Sequence, residues 1–176
     1  GIITLMLAEM LGMGVDREQD DKIRDRLKKA VNLILHSQQV KKSSKFKGGW
    51  RYEPSANDAD MSVTAWQLIA LRGAKNAGID VPAEAIDMAV AYIKRSFAGH
   101  KNKDGKHDYF CYQPGSGGFR FGSATGGLLA LQICGEYDAP EVKKAADYLL
   151  HCRLKPNMGH FYYGIYYYSQ GMYQRK

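Results

Sequence analysis

Apolar residues recur along the chain in two alternating patterns, and both patterns predict helices. In three segments (27–34, 86–93 and 142–149), apolar or small residues stand at positions i, i+3, i+4 and i+7. This spacing gathers them on one face of an α-helix and leaves the other face polar. Acids or a proline stand near the start of each segment, as is typical of helix N-termini. We therefore predict three half-buried helices.

Four further segments lie between and around these three and are apolar on more than one face. They read "TLMLAEML", "SVTAWQLIALRGA", "SATGGLLALQIC" and "YGIYYYSQGMY". A helix that is apolar nearly all round is typically buried, so the alternation predicts an inner and an outer layer. The helices are expected near residues 3–12, 20–37, 61–77, 82–97, 123–135, 140–152 and 163–173.

The connections that lead into the inner helices repeat as well. They contain "GGWRY" (48–52), "GGFRF" (117–121) and "MGHFYY" (158–163). Glycine permits a positive φ and a close backbone approach, which would let the following aromatic rings wedge between helices. Arg51 and Arg120 are expected to cap helix carbonyls or to stack on these rings.

No alternating strand pattern exceeds a few residues. The prediction is one all-α domain over residues 1–176, an array of helical hairpins.

Composition narrows the classes of partner. The net charge is +7, and lysines gather at 41–47 and 101–106. A basic surface could meet nucleic acid or an acidic membrane face. No nucleic-acid motif accompanies the charge, so solvated loops are favoured and no nucleic-acid partner is expected.

The apolar opening "GIITLMLAEMLGMG" is too short to span a bilayer and has no basic leader. We interpret it as a core helix of a soluble chain without a membrane span or signal peptide.

The repeated turns and inner helices resemble the prenyltransferase/squalene-oxidase repeat family. This family includes squalene–hopene and oxidosqualene cyclases and protein prenyltransferase β subunits. "SQQ" (37–39) followed by "GGW" is similar to the Q…GxW repeat of the cyclases, with a basic stretch inserted. The resemblance implies an α/α toroid, of which this chain would hold about half. We therefore expect a piece of a longer protein, or a half-ring that self-associates through its apolar ends.

The resemblance also singles out the acids in front of the third predicted helix, in "DADMSVTAW". Cyclases that start by protonation carry an acidic DxDD-type stretch before the "TA" of an inner helix. If Thr64 and Ala65 match that "TA", the first acid falls on Asp60 and the proton donor falls on Ser62. A serine hydroxyl is too weak an acid to protonate an alkene or an epoxide. The match argues against conventional cyclase activity, and Asp58 and Asp60 are left as weak catalytic candidates. We favour a capping role over a catalytic one. Asp60 or Ser62 would cap the helix, and Asp58 would add favourable charge at the same end.

A prenyltransferase-like activity would need zinc bound by Asp, Cys and His. The three cysteines form no CxxC pair, and adjacent helical residues such as His151 and Cys152 point about a hundred degrees apart. We therefore expect no metal and no cofactor. The residues weighed as ligands are Asp104, His107, Asp108, Cys111, Cys134, His151, Cys152 and His160.

Two hypotheses about function remain from the sequence. The first is a cyclase-like or prenyltransferase-like domain, active or degenerate, with an aromatic-lined cavity for an isoprenoid-like or other apolar ligand. The second is a non-catalytic scaffold whose concave face binds a protein segment or a glycan. A deep pocket near Asp58 and Asp60 would favour the first, and a broad, wet groove the second. The candidate ligand-binding residues are Trp50, Tyr52, Trp66, Phe119, Phe121, Tyr162, Tyr166 and Tyr167, and Met172 is a further candidate for the lining.

Overall fold

The computed structural model describes residues 1–101 and 106–175, and in these residues the chain is all-α, as predicted. A short 3-10 helix, Ala98–His100, follows the fourth α-helix. In the described part of the chain no strand forms, and Phe97 and Phe110 make an isolated antiparallel bridge. The helices are α1 (Ile2–Met10), α2 (Arg17–Gln39), α3 (Met61–Asn76), α4 (Ala83–Arg95), α5 (Phe121–Ile133), α6 (Pro140–Leu150) and α7 (Phe161–Tyr173).

The helices form two layers. In the inner layer α3 packs between α1 and α5, and α5 packs between α3 and α7. The outer helices each lie against two inner ones: α2 against α1 and α3, α4 against α3 and α5, and α6 against α5 and α7. These contacts agree with the alternation of half-buried and strongly apolar segments in the sequence. None of the helices in the described residues combines the length and the apolar character that crossing a bilayer requires.

The helix boundaries follow local capping groups. The helix α2 begins at Arg17, three residues before the predicted start, because the Asp16 carboxylate accepts a hydrogen bond from the Gln19 N–H at 2.8 Å. Pro82 precedes the first residue of α4, and Pro140 is the first residue of α6. Proline loses no helical hydrogen bond in these positions, which explains why both helices start there.

The helix α5 is the centre of the core. All of its residues from Phe121 to Gln132 are buried, and none of them is charged. Its glycines let neighbours approach closely, since a Cβ on Gly127 would lie 2.6 Å from the Phe110 ring. The ring of Phe121 reaches α7 in the same way, because a Cβ on Gly164 would lie 2.2 Å from it. The inner layer is therefore packed through backbone as well as side chains.

The apolar periodicity predicts that all four inner helices are buried, which is wrong for α1 and α7, whereas the number of hairpins correctly predicts that these terminal helices keep an unpaired face. Only Thr4 and Ala8 of α1 are buried, and only Gly164, Tyr167 and Gly171 of α7. These helices end the inner layer, so each has one inner neighbour instead of two. Their apolar side chains remain on open faces: Ile2, Ile3, Met6 and Met10 on α1, and Tyr162, Tyr166 and Tyr173 on α7.

The first aromatic turn ties the two layers together. Gly48 has a φ of +89°, and a Cβ at that position would lie 2.1 Å from the Met88 carbonyl oxygen. The Gln38 side chain donates to the carbonyls of Gly48 and Ala85, each at 2.9 Å. Trp50 is 1% exposed and donates its indole N–H to the Ile34 carbonyl at 2.8 Å. The turn therefore fixes α2 against α4 and directs the chain into α3.

Candidate functional site

Asp60 caps α3, as the sequence predicts. Its carboxylate accepts the Val63 N–H at 3.0 Å and the Ser62 hydroxyl at 2.6 Å. It is fully buried, and its backbone N–H donates to the Trp50 carbonyl at 2.9 Å. Ser62 therefore supports this cap, because its hydroxyl donates to Asp60.

Arg51 neutralises the acids of this turn. Its guanidinium donates to Asp60 at 2.9 Å, and its Nε lies 3.5 Å from the Asp58 carboxylate. The same guanidinium donates to the Tyr112 hydroxyl at 3.0 Å and lies over the Tyr52 ring at 5.4 Å. The acids thus form an ion-pair cluster with an arginine. Burial is the main cause that raises the pKa of Tyr112 to about 12, so its hydroxyl stays neutral at physiological pH.

A cavity of about 1180 Å³ opens at the N-terminal ends of α3, α5 and α7. Its wall is largely aromatic and aliphatic, and its polar groups belong to arginine, histidine, serine, glutamine and tyrosine side chains. Neither aspartate nor glutamate is among the described residues that line it. Apart from Gly1, Gly122 and Gly159, the wall consists of Ile2, Ile3, Arg51, Tyr52, Ser62, Val63, Trp66, Gln67, Tyr112, Phe119, Arg120, Phe121, Ser123, Met158, His160 and Tyr163.

The structure divides the predicted ligand-binding aromatics into two groups. Tyr52, Trp66, Phe119 and Phe121 line the cavity. The other group lies elsewhere: Trp50 is in the core, Tyr162 and Tyr166 are exposed on α7, and Tyr167 is fully buried. Asp58 and Asp60 are beside the cavity but do not line it, and Met172 packs against the core.

Tyr167 forms part of the support behind the cavity wall. Its ring makes edge-to-face contacts with Trp66 at 6.0 Å and with Tyr163 at 4.8 Å. Both of these neighbours line the cavity. Such pairs add stability beyond the area that they bury, so Tyr167 holds the two lining rings in place without itself reaching the cavity.

Several lining residues were not among the sequence candidates, and Tyr112, Tyr163 and Met158 are the largest of them. Tyr112 is held at the site by contacts that are distant in sequence, since Arg51 donates to its hydroxyl and the Met61 N–H donates to its carbonyl. Tyr163 opens α7, and its side chain fills the space above Gly122, where a Cβ would lie 2.7 Å away. The glycines of α5 are the one sequence signal for such a contact, since they mark close approaches.

Arg51 and Arg120 stack on rings, one of the two roles expected for them. The Arg120 guanidinium lies 4.9 Å from the centre of the Tyr112 ring, and that of Arg51 lies 5.8 Å from the same ring. Tyr112 therefore stands between two arginines at the cavity mouth. Cation–π contacts of this kind contribute roughly 0.5–1 kcal/mol each at exposed sites.

The potential zinc ligands do not converge. Within residues 1–101 and 106–175, no three His, Cys, Asp or Glu side chains are placed to share a metal ion. Burial raises the pKa of all three cysteine thiols, that of Cys134 to about 11, which disfavours the thiolate that zinc binds. Asp108, His151 and Cys152 share a surface pocket with Asp147 and Lys144. Asp104, also weighed as a ligand, lies outside the described residues.

Comparison with known proteins returns no relative. No protein-family model matches the chain. No curated protein and no solved structure matches it at a significant level. The assignment of function therefore depends on the fold and on the site described above.

Proposed function

We propose that this chain is a repeat domain of the prenyltransferase/squalene-oxidase type, about half of an α/α toroid. We further propose that its cavity binds an apolar, isoprenoid-like ligand without protonating it. The observation that carries the proposal is the cavity of about 1180 Å³ at the N-terminal ends of α3, α5 and α7. Ligand pockets are typically concave and apolar, with a few placed polar groups.

The wall of the cavity supports an apolar ligand. Trp66, Phe121 and Tyr163 present aromatic surface, and Val63 and Met158 add aliphatic surface. Aromatic faces attract both apolar chains and positive charge. The position of the cavity, at the head of the inner helix that resembles the cyclases' acidic helix, supports the family assignment.

The acids next to the cavity support binding without protonation. Asp60 is held by a backbone N–H, a hydroxyl and a guanidinium. All three donate to the Asp60 carboxylate, so its oxygens are engaged in the cap and the ion pair, and Asp60 does not line the cavity. Ser62 stands where the cyclases have their proton donor, and no carboxylate lines the cavity in the described residues.

Calorimetric titration with farnesol, a soluble isoprenoid alcohol, tests ligand binding. Val63→Trp fills the cavity and should weaken binding by at least tenfold, because Val63 lines the wall. Ser169→Trp adds the same side chain on an exposed position of α7 and should bind farnesol like the wild-type chain. Circular dichroism should confirm that both variants are folded. Equal binding by both variants, or none by the wild-type chain, would contradict the proposal.

Incubation with squalene tests the absence of protonation-initiated chemistry. We expect no cyclic hydrocarbon by gas chromatography–mass spectrometry. A cyclic product that disappears in an Asp60→Asn variant would show instead that Asp60 is a catalytic acid. In that case the capping role would be secondary.

A binding surface for a protein segment or a glycan is the second candidate. Tyr52 is 69% exposed and lies at the cavity mouth, where an exposed aromatic ring could stack on a sugar. Titration with soluble oligosaccharides separates this function from the first. Glycan binding that is lost in Tyr52→Ala, without farnesol binding, would favour the second candidate.

A further inference from the structure

Three methionines are exposed together at the end of α1. Met6, Met10 and Met13 are 47%, 42% and 78% exposed, and they fall within eight residues of the chain. Methionine is usually buried in folded proteins, so three exposed ones in one short segment are unusual. The other four methionines follow the usual pattern, since Met61 is buried and Met88, Met158 and Met172 are half-buried.

The backbone brings these three side chains to one place. Met6 and Met10 are four residues apart in α1, which puts their Cβ atoms about 5–6 Å apart on one face. A type II turn follows, in which the Met13 N–H donates to the Met10 carbonyl at 2.9 Å. Leu11 (φ −65°, ψ 124°) and Gly12 (φ +89°) match the angles of that turn. The turn keeps the Cα atoms of Met10 and Met13 within about 7 Å.

Three thioethers in this arrangement suit a soft metal ion. A methionine side chain has three rotatable bonds, so the sulfur atoms at these positions can reach a common point. Thioether sulfur is a soft ligand that selects copper(I), whereas magnesium and calcium prefer oxygen ligands. Glu9 is exposed on the same helix and adds a negative charge near such a cation. The site uses none of the residues that were considered above as zinc ligands.

An apolar contact would not require sulfur at these positions. Ile2 and Ile3 on the same helix are 63% and 67% exposed and would serve an apolar contact without a thioether. Leucine exchanges for methionine with little loss of packing and has a similar preference for helices. Sulfur at all three positions is therefore the feature that metal binding explains and an apolar contact does not.

We propose that Met6, Met10 and Met13 together bind one copper(I) ion through their three sulfur atoms. The site lies on the surface of α1 and the turn that follows it. None of the three methionines lines the cavity. The metal site therefore does not depend on the proposed cavity ligand, and each of the two can be tested without the other.

NMR of the full chain with ¹³C-methyl-labelled methionine tests the proposal. The probe is silver nitrate in chloride-free buffer, since silver(I) is an air-stable cation with the charge and softness of copper(I). We expect the methyl resonances of Met6, Met10 and Met13 to shift together and to saturate together, while those of Met61 and Met172 stay unchanged. Met10→Leu should weaken silver binding, measured at the Met6 methyl, by at least tenfold. The reason is that a shared ion loses one ligand while the apolar surface is kept.

The matched control is Met172→Leu, which removes a thioether that packs against the core. It should leave the silver affinity at the three exposed methionines unchanged, and thermal unfolding should confirm that each variant is folded. Copper(I) added without oxygen should shift the same three resonances. An unchanged affinity at Met6 in the Met10→Leu variant would show that each thioether binds separately and would overturn the shared site. Silver taken up by the cysteine thiols alone, with no shift at Met6, Met10 or Met13, would overturn it as well.

Discussion

The carboxylate of Asp60 accepts hydrogen bonds from three neighbouring residues. It is fully buried and accepts hydrogen bonds from Val63, Ser62 and Arg51. The cap was predictable, because a turn-forming loop runs directly into apolar helical periodicity. The ion pair with Arg51 was not predictable, since it depends on how the intervening turn folds back over nine residues.

The first prediction concerns the substitution of this acid. From capping alone, Asp60→Asn should cost at most about 1 kcal/mol, because asparagine also caps helices well. The structure raises this expectation to about 2 kcal/mol, because the change leaves the guanidinium of Arg51 without its buried partner. Asp58→Asn is the control and should cost less than about 0.5 kcal/mol, since Asp58 is half-buried and more distant. Urea unfolding of both variants measures the difference, and equal stability would show that the ion pair does not contribute.

The second prediction concerns alkaline pH. Burial raises the pKa of Tyr92, Tyr163 and Tyr167 above the usual value of 10.0, and that of Tyr112 to about 12. A tyrosine with a raised folded-state pKa stabilises the fold fully below pH 10 and loses this contribution as the pH rises to 12. We therefore expect the free energy of unfolding to fall steeply between pH 10 and 12. Absorbance at 295 nm should show that several of the 12 tyrosines ionise only as the helices unfold. Ionisation of all 12 near pH 10 with intact helices would contradict this.

At the scale of the element, the inner helices combine predictable and unpredictable features. Periodicity located α3, α5 and α7 within a few residues, because apolar residues recur at helical spacing along each of them. The role of each glycine was not predictable. Gly126 and Gly127 are neighbours in α5, yet only Gly127 faces the Phe110 ring at close range.

The third prediction uses this pair of glycines as a matched test. Gly127→Ala should destabilise the fold by about 1–3 kcal/mol, because its Cβ would lie 2.6 Å from Phe110. Gly126→Ala should stabilise it by up to about 1 kcal/mol, since the nearest atom to its Cβ is 3.8 Å away and alanine favours helices. Thermal unfolding of the two variants gives the comparison. Effects of the same sign would show that the packing around α5 differs from that described.

At the scale of the molecule, the inner layer has two open ends. The α1 face carries Ile2, Ile3, Met6 and Met10, and the α7 face carries Tyr162, Tyr166 and Tyr173. The sequence predicted these unpaired faces from the number of hairpins. The position of the cavity could not be predicted from the sequence, because it depends on how the N-terminal ends of α3, α5 and α7 meet in space.

The fourth prediction follows from these faces. Contiguous apolar surface of this kind favours association, so the chain should self-associate as its concentration rises. Ile3→Lys combined with Tyr166→Lys should shift the association to at least tenfold higher concentration, because each change places a charge in one face. Sedimentation velocity measures this shift. A strict monomer at high concentration would show that the exposed faces do not drive association.

The most direct test of the central claim uses the two tryptophans of the chain as internal probes. Trp66 lines the cavity, and Trp50 is 1% exposed in the core, with its indole N–H donating to Ile34. In a two-dimensional ¹H–¹⁵N NMR spectrum each indole N–H gives its own resonance, assigned through Trp66→Phe. On titration with farnesol, the account predicts a saturable shift of the Trp66 resonance and an unchanged Trp50 resonance. Equal shifts of both resonances, or no shift of Trp66, would contradict an apolar ligand site at the N-terminal ends of α3, α5 and α7.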